Sequence, residues 1–391
     1  MAGEITRPKG FLATGVRAGI KNEGEDMALI YSEVPASAAG VFTKNVVKAA
    51  PVLLDRDRAP SSAARAIIVN SGNANACTGE QGMQDARAMA AETARLLNLR
   101  EEDVLVASTG VIGQRLPMDK INAGIAEAVQ SLSRDGGEIA ARAIMTTDTR
   151  PKETSVHFNM GGAEITIAGM AKGAGMICPN MATMLAFITT DAAITPEMLQ
   201  KSLSKSVETS FNCLTVDGDS STNDSVIMLA NGMAGNASVD VDVFQSALDS
   251  VNMSLAKQIA ADGEGATKFI EIAVEGAGSY EDCRQIAKTI ANSALVKTAM
   301  FGCDPNWGRI LAAAGRAGVD FDPKAVSLSL GDIALVEGGE PIRFSEEDAH
   351  EYLHGHDIIV HLRVGNEDCD ATVWTCDFSY DYVRINAEYH T

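Results

Sequence analysis

The sequence predicts a layered protein of mixed strands and helices, α/β or α+β, on three observations. Short apolar runs alternate with long helical periodicities along the chain, and the last third ends in two alternating strands. The 391 residues are too many for one ordinary domain and fit two, or one large layered unit. Hydrophobic residues make up 46% and charged residues 21%, a balance that can bury a sizeable core.

Ala66-Ile-Ile-Val-Asn70 reads as a short buried strand entering a Gly/Asn-rich loop, Ser71 to Ala76. Met83, Ala86, Ala90, Ala94 and Leu97 fall at helical spacing, and Val104 to Ala107 is a second buried strand. Asp119 is the expected cap of a helix whose apolar stripe is Ile121, Ile125, Val129 and Leu132. Val156, Phe158 and Met160 alternate with polar residues, as do Ile165 and Ile167 beyond Gly161-Gly162. A Gly-Gly pair accepts the positive φ angles of a two-residue turn, so this stretch predicts a hairpin. Met184 to Ile188 is a near-continuous apolar strand. Thr195-Pro196 then opens a helix through Met198, Leu199, Leu203 and Val207. A long helix is expected from Asp242, with Phe244, Leu248, Val251, Leu255 and Ile259 on one face. Ile358–Val364 and Ala371–Phe378 close the chain as strands.

Charge and composition exclude several classes. A net charge of −20 would repel a phosphate backbone, so no nucleic-acid partner is expected. No run approaches 18 consecutive apolar residues, and the first residues lack a basic region followed by an apolar core. Neither a membrane partner nor a secretory signal is therefore expected. The seven cysteines form no CxxC pair and are odd in number, which argues against a zinc site or a disulfide framework and for a reducing cytoplasm.

The most unusual segment is Ala171-Lys-Gly-Ala-Gly-Met-Ile-Cys-Pro-Asn-Met-Ala-Thr183-Met-Leu-Ala-Phe. A threonine at this position is ordinarily just a β-branched strand former. Here a loop containing Gly173, Gly175 and Pro179 can be held in a strained shape, and the small Ala182 leaves the preceding carbonyl accessible. Attack by Thr183 Oγ on that carbonyl would turn the peptide into an ester, and water would release a new N-terminal threonine. Its α-amine, with an ordinary pKa of about 7.7–8.0, could serve as base for its own hydroxyl. No histidine is needed, and the six present form no convincing triad.

Ala107-Ser-Thr109-Gly110-Val-Ile-Gly-Gln, at the end of a predicted strand, places a hydroxyl beside a glycine N–H on an expected sharp turn. Two such donors can converge as an oxyanion hole, although Ser-Thr-Gly also makes ordinary turns. Met145-Thr146-Thr147-Asp148-Thr149-Arg150-Pro-Lys152 reads first as a helix cap and turn. The acidic run Thr215 to Asp224 lacks the spacing and twelfth-position glutamate of a calcium loop. His350, His354 and His356 lack a fourth ligand, and Asp262 to Lys268 lacks the spacing of a phosphate loop. No metal is expected.

Taken together, these segments closely resemble the ornithine acetyltransferase (glutamate N-acetyltransferase) family of arginine biosynthesis. The resemblance runs nearly end to end. It includes Gly15-Val-Arg-Ala-Gly-Ile20, Gly40-Val-Phe-Thr-Lys-Asn45, Asn70-Ser-Gly-Asn-Ala-Asn75, Ser108-Thr-Gly-Val-Ile-Gly113 and Met145-Thr-Thr-Asp148. Further along it includes Lys172-Gly-Ala-Gly-Met176, Met181-Ala-Thr-Met-Leu185, Thr215-Val-Asp-Gly-Asp219, Gly263 to Lys268, Asp304 to Arg309 and Arg384 to Thr391.

The resemblance implies a self-cleaving αββα sandwich of the N-terminal-nucleophile-like type, cut between Ala182 and Thr183. Residues 1–182 would form an α chain and 183–391 a β chain, assembled as a heterotetramer. It implies an acetyl transfer from N2-acetylornithine to glutamate through Thr183, with Thr109 and Gly110 as the oxyanion hole. Substrate contacts would fall on Thr146 or Thr147, Lys172, Thr183, Glu264, Asn386 and Thr391. No cofactor is implied, with acetyl-coenzyme A as an additional acetyl donor left open. The closest rival is an N-terminal-nucleophile amidohydrolase or aminopeptidase that passes the acyl group to water. A non-enzymatic acidic scaffold is a more distant one.

Overall fold

The computed structural model describes residues 3–178 and 184–388. Ala182, Thr183 and Thr391 lie outside them. The first sheet is built from β1 (Phe11–Val16), β2 (Met27–Phe42), β3 (Ser61–Asn73), β4 (Val104–Val111), β5 (Lys152–Met160), β6 (Ala163–Lys172), β7 (Leu185–Thr190) and β8 (Ser225–Ala230). Its order is β4-β3-β2-β8-β7-β6-β5, with β1 pairing on β2. A second sheet contains β9 (Phe269–Glu275), β10 (Ser327–Leu330), β11 (Ile333–Glu337), β12 (Glu340–Pro341), β13 (Asp357–Arg363) and β14 (Asp370–Cys376). Its order is β12-β11-β10-β13-β9-β14. The helices are α1 (Ala50–Arg58), α2 (Gly79–Leu97), α3 (Met118–Gln130), α4 (Gly137–Ala143), α5 (Pro196–Glu208) and α6 (Val241–Ala261), then α7 (Tyr280–Ala291), α8 (Ala294–Phe301), α9 (Trp307–Gly315), α10 (Glu346–Leu353) and α11 (Tyr380–Glu388).

Side-chain alternation shows how the first sheet is layered. On β3, β4, β7 and β8 one set of residues (Ile67, Val69, Leu105, Phe187, Ile227, Leu229) shares a single core. Their neighbours diverge. Ala66, Ile68, Val104 and Val106 pack with α2 and α3 through Met89, Ala90, Ile121 and Ile125. Ala186, Ile188, Val226 and Met228 pack with α5 and α6 through Leu199, Leu203, Leu248 and Val251. Successive strand residues point to opposite faces, so the two halves of this sheet face each other and each carries helices outside. The result is an αββα sandwich. The long β2 joins the halves: Met27–Tyr31 pair with β3, Ser37–Phe42 pair with β8, and the register slips between Tyr31 and Ala38. Helix α6 touches β5, β6, β9 and β14, and so bridges the sandwich to the second sheet, which α7 covers.

The expected elements are present, with shifts that have local causes. The hairpin Met160↔Ala163 turns on Gly161 (φ 58) and Gly162 (φ 80), both in the left-handed region. Asp119 is not the cap of α3: Pro117 occupies that position, Asp119 lies in the first turn, and Leu132 falls beyond the helix. The long helix begins at Val241, one residue earlier than expected, because the Asp240 carboxylate accepts hydrogen bonds from Asp242 N and Val243 N. The two terminal strands are Asp357–Arg363 and Asp370–Cys376.

Strand β4 also runs further than expected. Thr109 and Gly110 are not on a turn after the strand but inside it, paired with Ser71 and Gly72 of β3. The Ser71 to Asn73 stretch, expected as loop, is correspondingly the end of β3.

Candidate active site

The ends of β4 and β6, the loops after α4 and α6, the segment before β8 and helix α11 converge on one cleft of about 570 Å³ of empty space. Thr109, Gly110, Thr146, Thr147, Lys172, Glu264 and Asn386 all line it, together with Ser221, Thr222 and Asn223. Every sequence-predicted site residue within the described range is therefore brought together, although the sequence separates them by up to 277 positions, from Thr109 to Asn386.

Gly110 has φ +129, and a Cβ there would lie 2.3 Å from the Gly72 carbonyl carbon and 2.5 Å from Asn73 N. Only glycine lets β4 sit this close to β3 beside a buried Thr109. Asn223 Nδ2 donates to Ser108 O (2.7 Å) and Ala74 O (2.6 Å), fixing the strand end against the segment before β8. Behind it, Ser108 Oγ donates to Asn70 Oδ1 at 2.6 Å.

Lys172 ends β6 with its ammonium buried 3.9 Å from Asp148 Oδ2. Burial pushes its pKa down and the Asp148 charge pulls it back up. Asp148 is itself held in place: Oδ1 accepts from Lys152 Nζ (2.7 Å) and Gly173 N (2.6 Å), Oδ2 from Thr146 N (3.0 Å). Burial would raise the Asp148 pKa, but the Lys172 and Lys152 charges outweigh it and hold the carboxyl well below the ordinary range. Lys152 is fully buried and also reaches Asp262 Oδ2 at 2.5 Å, while Asp262 accepts from Thr149 N at 3.0 Å. Thus a buried chain of alternating charge, Lys172–Asp148–Lys152–Asp262, holds up the loop carrying Thr146 and Thr147. Sequence reasoning missed this network. Asp148 and Lys152 read as a cap and Asp262 as a turn.

Glu264 supplies the opposing charge. It is 8% exposed, and its Oε2 accepts from Asn386 Nδ2 at 2.8 Å. Helix α11 is thereby laid across the cleft with Asn386 at its wall, while Thr391 lies outside the described residues. A cleft with a buried cation on one wall and a buried anion on the other suits a small zwitterion.

The histidines stand apart. His350 Nδ1 lies 2.7 Å from Cys303 O, and His354 Nδ1 lies 2.9 Å from His350 O. Among the described residues no group of histidine, cysteine or carboxylate side chains is placed to hold a metal. No helix of these residues is long and apolar enough to cross a membrane.

Fold and cleft together define a mixed α/β protein of the αββα sandwich type with a charged small-molecule site. Residues 12–391 match the model of the ArgJ family, and the chain belongs to that family. It is 51% identical to the arginine biosynthesis bifunctional protein ArgJ of Symbiobacterium thermophilum, covering 100% of this chain and 99% of that one. It is 52% identical to the protein of the same name from Caldanaerobacter subterraneus, again over 100% of this chain and 99% of that one. The crystal structure of the ArgJ protein from Bacillus halodurans is similar at 42% identity and a TM-score of 0.50, over 51% of this chain and 97% of that chain.

Proposed function

We propose that this chain is a self-processing acetyltransferase that moves the acetyl group of N2-acetylornithine to glutamate, giving ornithine and N-acetylglutamate. The observation that carries the reading is the convergence of Thr109, Gly110, Lys172, Glu264 and Asn386 on one cleft, in a chain whose relatives at 51–52% identity are arginine biosynthesis proteins.

In this reading cleavage before Thr183 yields chains 1–182 and 183–391. The solved relative supports it, since nearly all of that chain corresponds to about half of this one. The freed α-amine of Thr183 takes the proton of its own Oγ, which attacks the acetyl carbonyl, while the Thr109 hydroxyl and Gly110 N–H receive the oxyanion. Ornithine leaves, the acetyl ester remains on Thr183, and the glutamate amine collects it. Lys172 suits the α-carboxylate of either amino acid, and Glu264 suits an amine. Thr391 and one of Thr146 or Thr147 complete the contacts. No cofactor is needed. The relatives' name, bifunctional, favours acetyl-coenzyme A as a second acetyl donor. The processed chains assemble as a heterotetramer in the cytoplasm.

A Thr183→Ala protein should run as one uncut chain of 41.1 kDa and transfer no acetyl group. Transfer by the uncut variant would exclude the scheme. Paired assays with glutamate and with water as acceptor separate it from the amidohydrolase alternative, which releases free acetate.

A further inference from the structure

We propose that the loop Thr215–Asp224 is the clamp of self-cleavage, Asp217 and Asp224 being positioning residues that grip the chain on either side of the bond to be cut. The proposal rests on the reading that Ala182–Thr183 is that bond. The loop has the look of a cation site in the sequence, but Asp217 and Asp224 each accept from backbone N–H groups. Asp217 Oδ2 accepts from Met176 N at 2.6 Å and Oδ1 from Ile177 N at 2.9 Å. Val216 N donates to Ile177 O at 2.8 Å, and Thr215 Oγ1 donates to the same carbonyl at 2.9 Å. Ile177 is therefore held through both its N–H and its C=O.

The other arm is held by the same loop. Asp224 Oδ1 accepts from Met184 N at 3.1 Å, and Ser225 N donates to Met184 O at 3.2 Å. Met184 directly follows Thr183, so the second anchor is one residue from the reacting hydroxyl. Asn223, the next member of the loop, ties it to the strand end that presents Thr109 and Gly110. One segment thus fixes the nucleophile's neighbour, the incoming arm and the oxyanion donors in a common frame, which is what an intramolecular attack requires.

Asp224 is fully buried, with the Thr43 and Ser221 hydroxyls beside its carboxyl, so its hold on Met184 N is sheltered from water. In the cleavage itself Thr183 Oγ–H adds to the Ala182 carbonyl carbon, the C–N bond breaks, and the hydroxyl proton passes to the Thr183 nitrogen. Water then splits the ester into the Ala182 carboxylate and the Thr183 hydroxyl.

Asp217→Asn, Asp224→Asn, Thr183→Ala and the unaltered full-length chain are made by cell-free translation, and cleavage is followed on denaturing gels. Replacing one carboxyl oxygen of the clamp by an amide NH2 should slow the cut roughly ten- to hundredfold. Hydroxylamine should not restore the rate, because the ester it attacks is not formed. Purified uncut Asn variants should melt cooperatively beside the Thr183→Ala chain. Cutting at the unaltered rate overturns the clamp alone. So does loss of the folded transition, which would assign both carboxylates to folding, and so does rapid release by hydroxylamine, which would place the stall after the attack. An unaltered chain that stays whole overturns the processing reading and the clamp with it.

Discussion

Among individual residues, Lys152 has the clearest role outside the reaction. It is buried between Asp148 and Asp262, and truncating it would take from Asp262 its cationic partner and leave Asp148 only Lys172 at 3.9 Å. Removing one partner of a buried pair usually costs about 3–5 kcal/mol. Lys152→Met should therefore lower the unfolding free energy by an amount in that range, read from urea titration. A change near zero would mean the pair is replaceable by packing. The Asp148 carboxyl titrates below its ordinary 3.8 in the folded state, so its stabilisation is present above that pH and fades as pH falls. Asp148→Asn should thus differ strongly from the unaltered protein at pH 7 and little in strong acid. At the same scale, Thr109→Ala should lower turnover by about 2.7–4 kcal/mol of transition-state stabilisation while substrate binding changes little. Steady-state kinetics would show this as a fall in kcat at nearly constant KM.

Thr109 and Gly110 could be read as candidates from the local Ser-Thr-Gly sequence, whereas Lys172, Glu264 and Asn386 entered only through the resemblance. The charge network was legible in neither way. Its pairing of Lys152 with Asp262 spans 110 positions, and nothing in either local sequence marks the other.

For the elements, the instructive case is β4. Periodicity ended the strand at Ala107, since Ser108, Thr109 and Gly110 look like turn residues. In the fold their polar groups are spent on β3 and Asn223, so the strand continues. Tertiary pairing overrides local propensity here. The tight β3–β4 approach makes Gly110→Ala a sharp test: the added methyl meets backbone at 2.3 Å, and the strand ends must separate. Transfer should be lost while far-UV dichroism stays close to that of the unaltered protein. Normal turnover would show that the approach is not needed. The strands β10, β11 and β12, of four, five and two residues, were not anticipated because runs that short carry no readable periodicity. The hairpin β5–β6 and the helices α5 and α6 were legible because each joins a long amphipathic pattern to a turn or cap signal.

Across the whole molecule, the sandwich was anticipated through resemblance, while the residues alone gave only a layered mixture of strands and helices. Which strands share a core depends on β2 changing partners midway, a pairing no local pattern reveals. The same topology bears on the proposed cut before Thr183. That cut would leave β6 in the first chain and β7 in the second, although Ile167–Lys172 pair antiparallel with Leu185–Thr190 inside the sheet. β8, also on the second side of the cut, pairs with β2 on the first. Neither product would have a complete core of its own. Unfolding of the cut protein should therefore be bimolecular: its urea midpoint should rise with protein concentration, whereas that of uncut Thr183→Ala should not. Matching, concentration-independent midpoints would mean that the chains fold separately.

Helix α11 has a practical corollary. It is mostly exposed, with Tyr382 and Ile385 half-buried, and is held over the cleft by the bond from Asn386 to Glu264. Anything fused behind it, such as an affinity handle or a fluorescent reporter, would be anchored at the mouth of the cleft. Preparations carrying such additions at that end should show impaired saturation by substrate, while the same additions at the opposite terminus should be harmless.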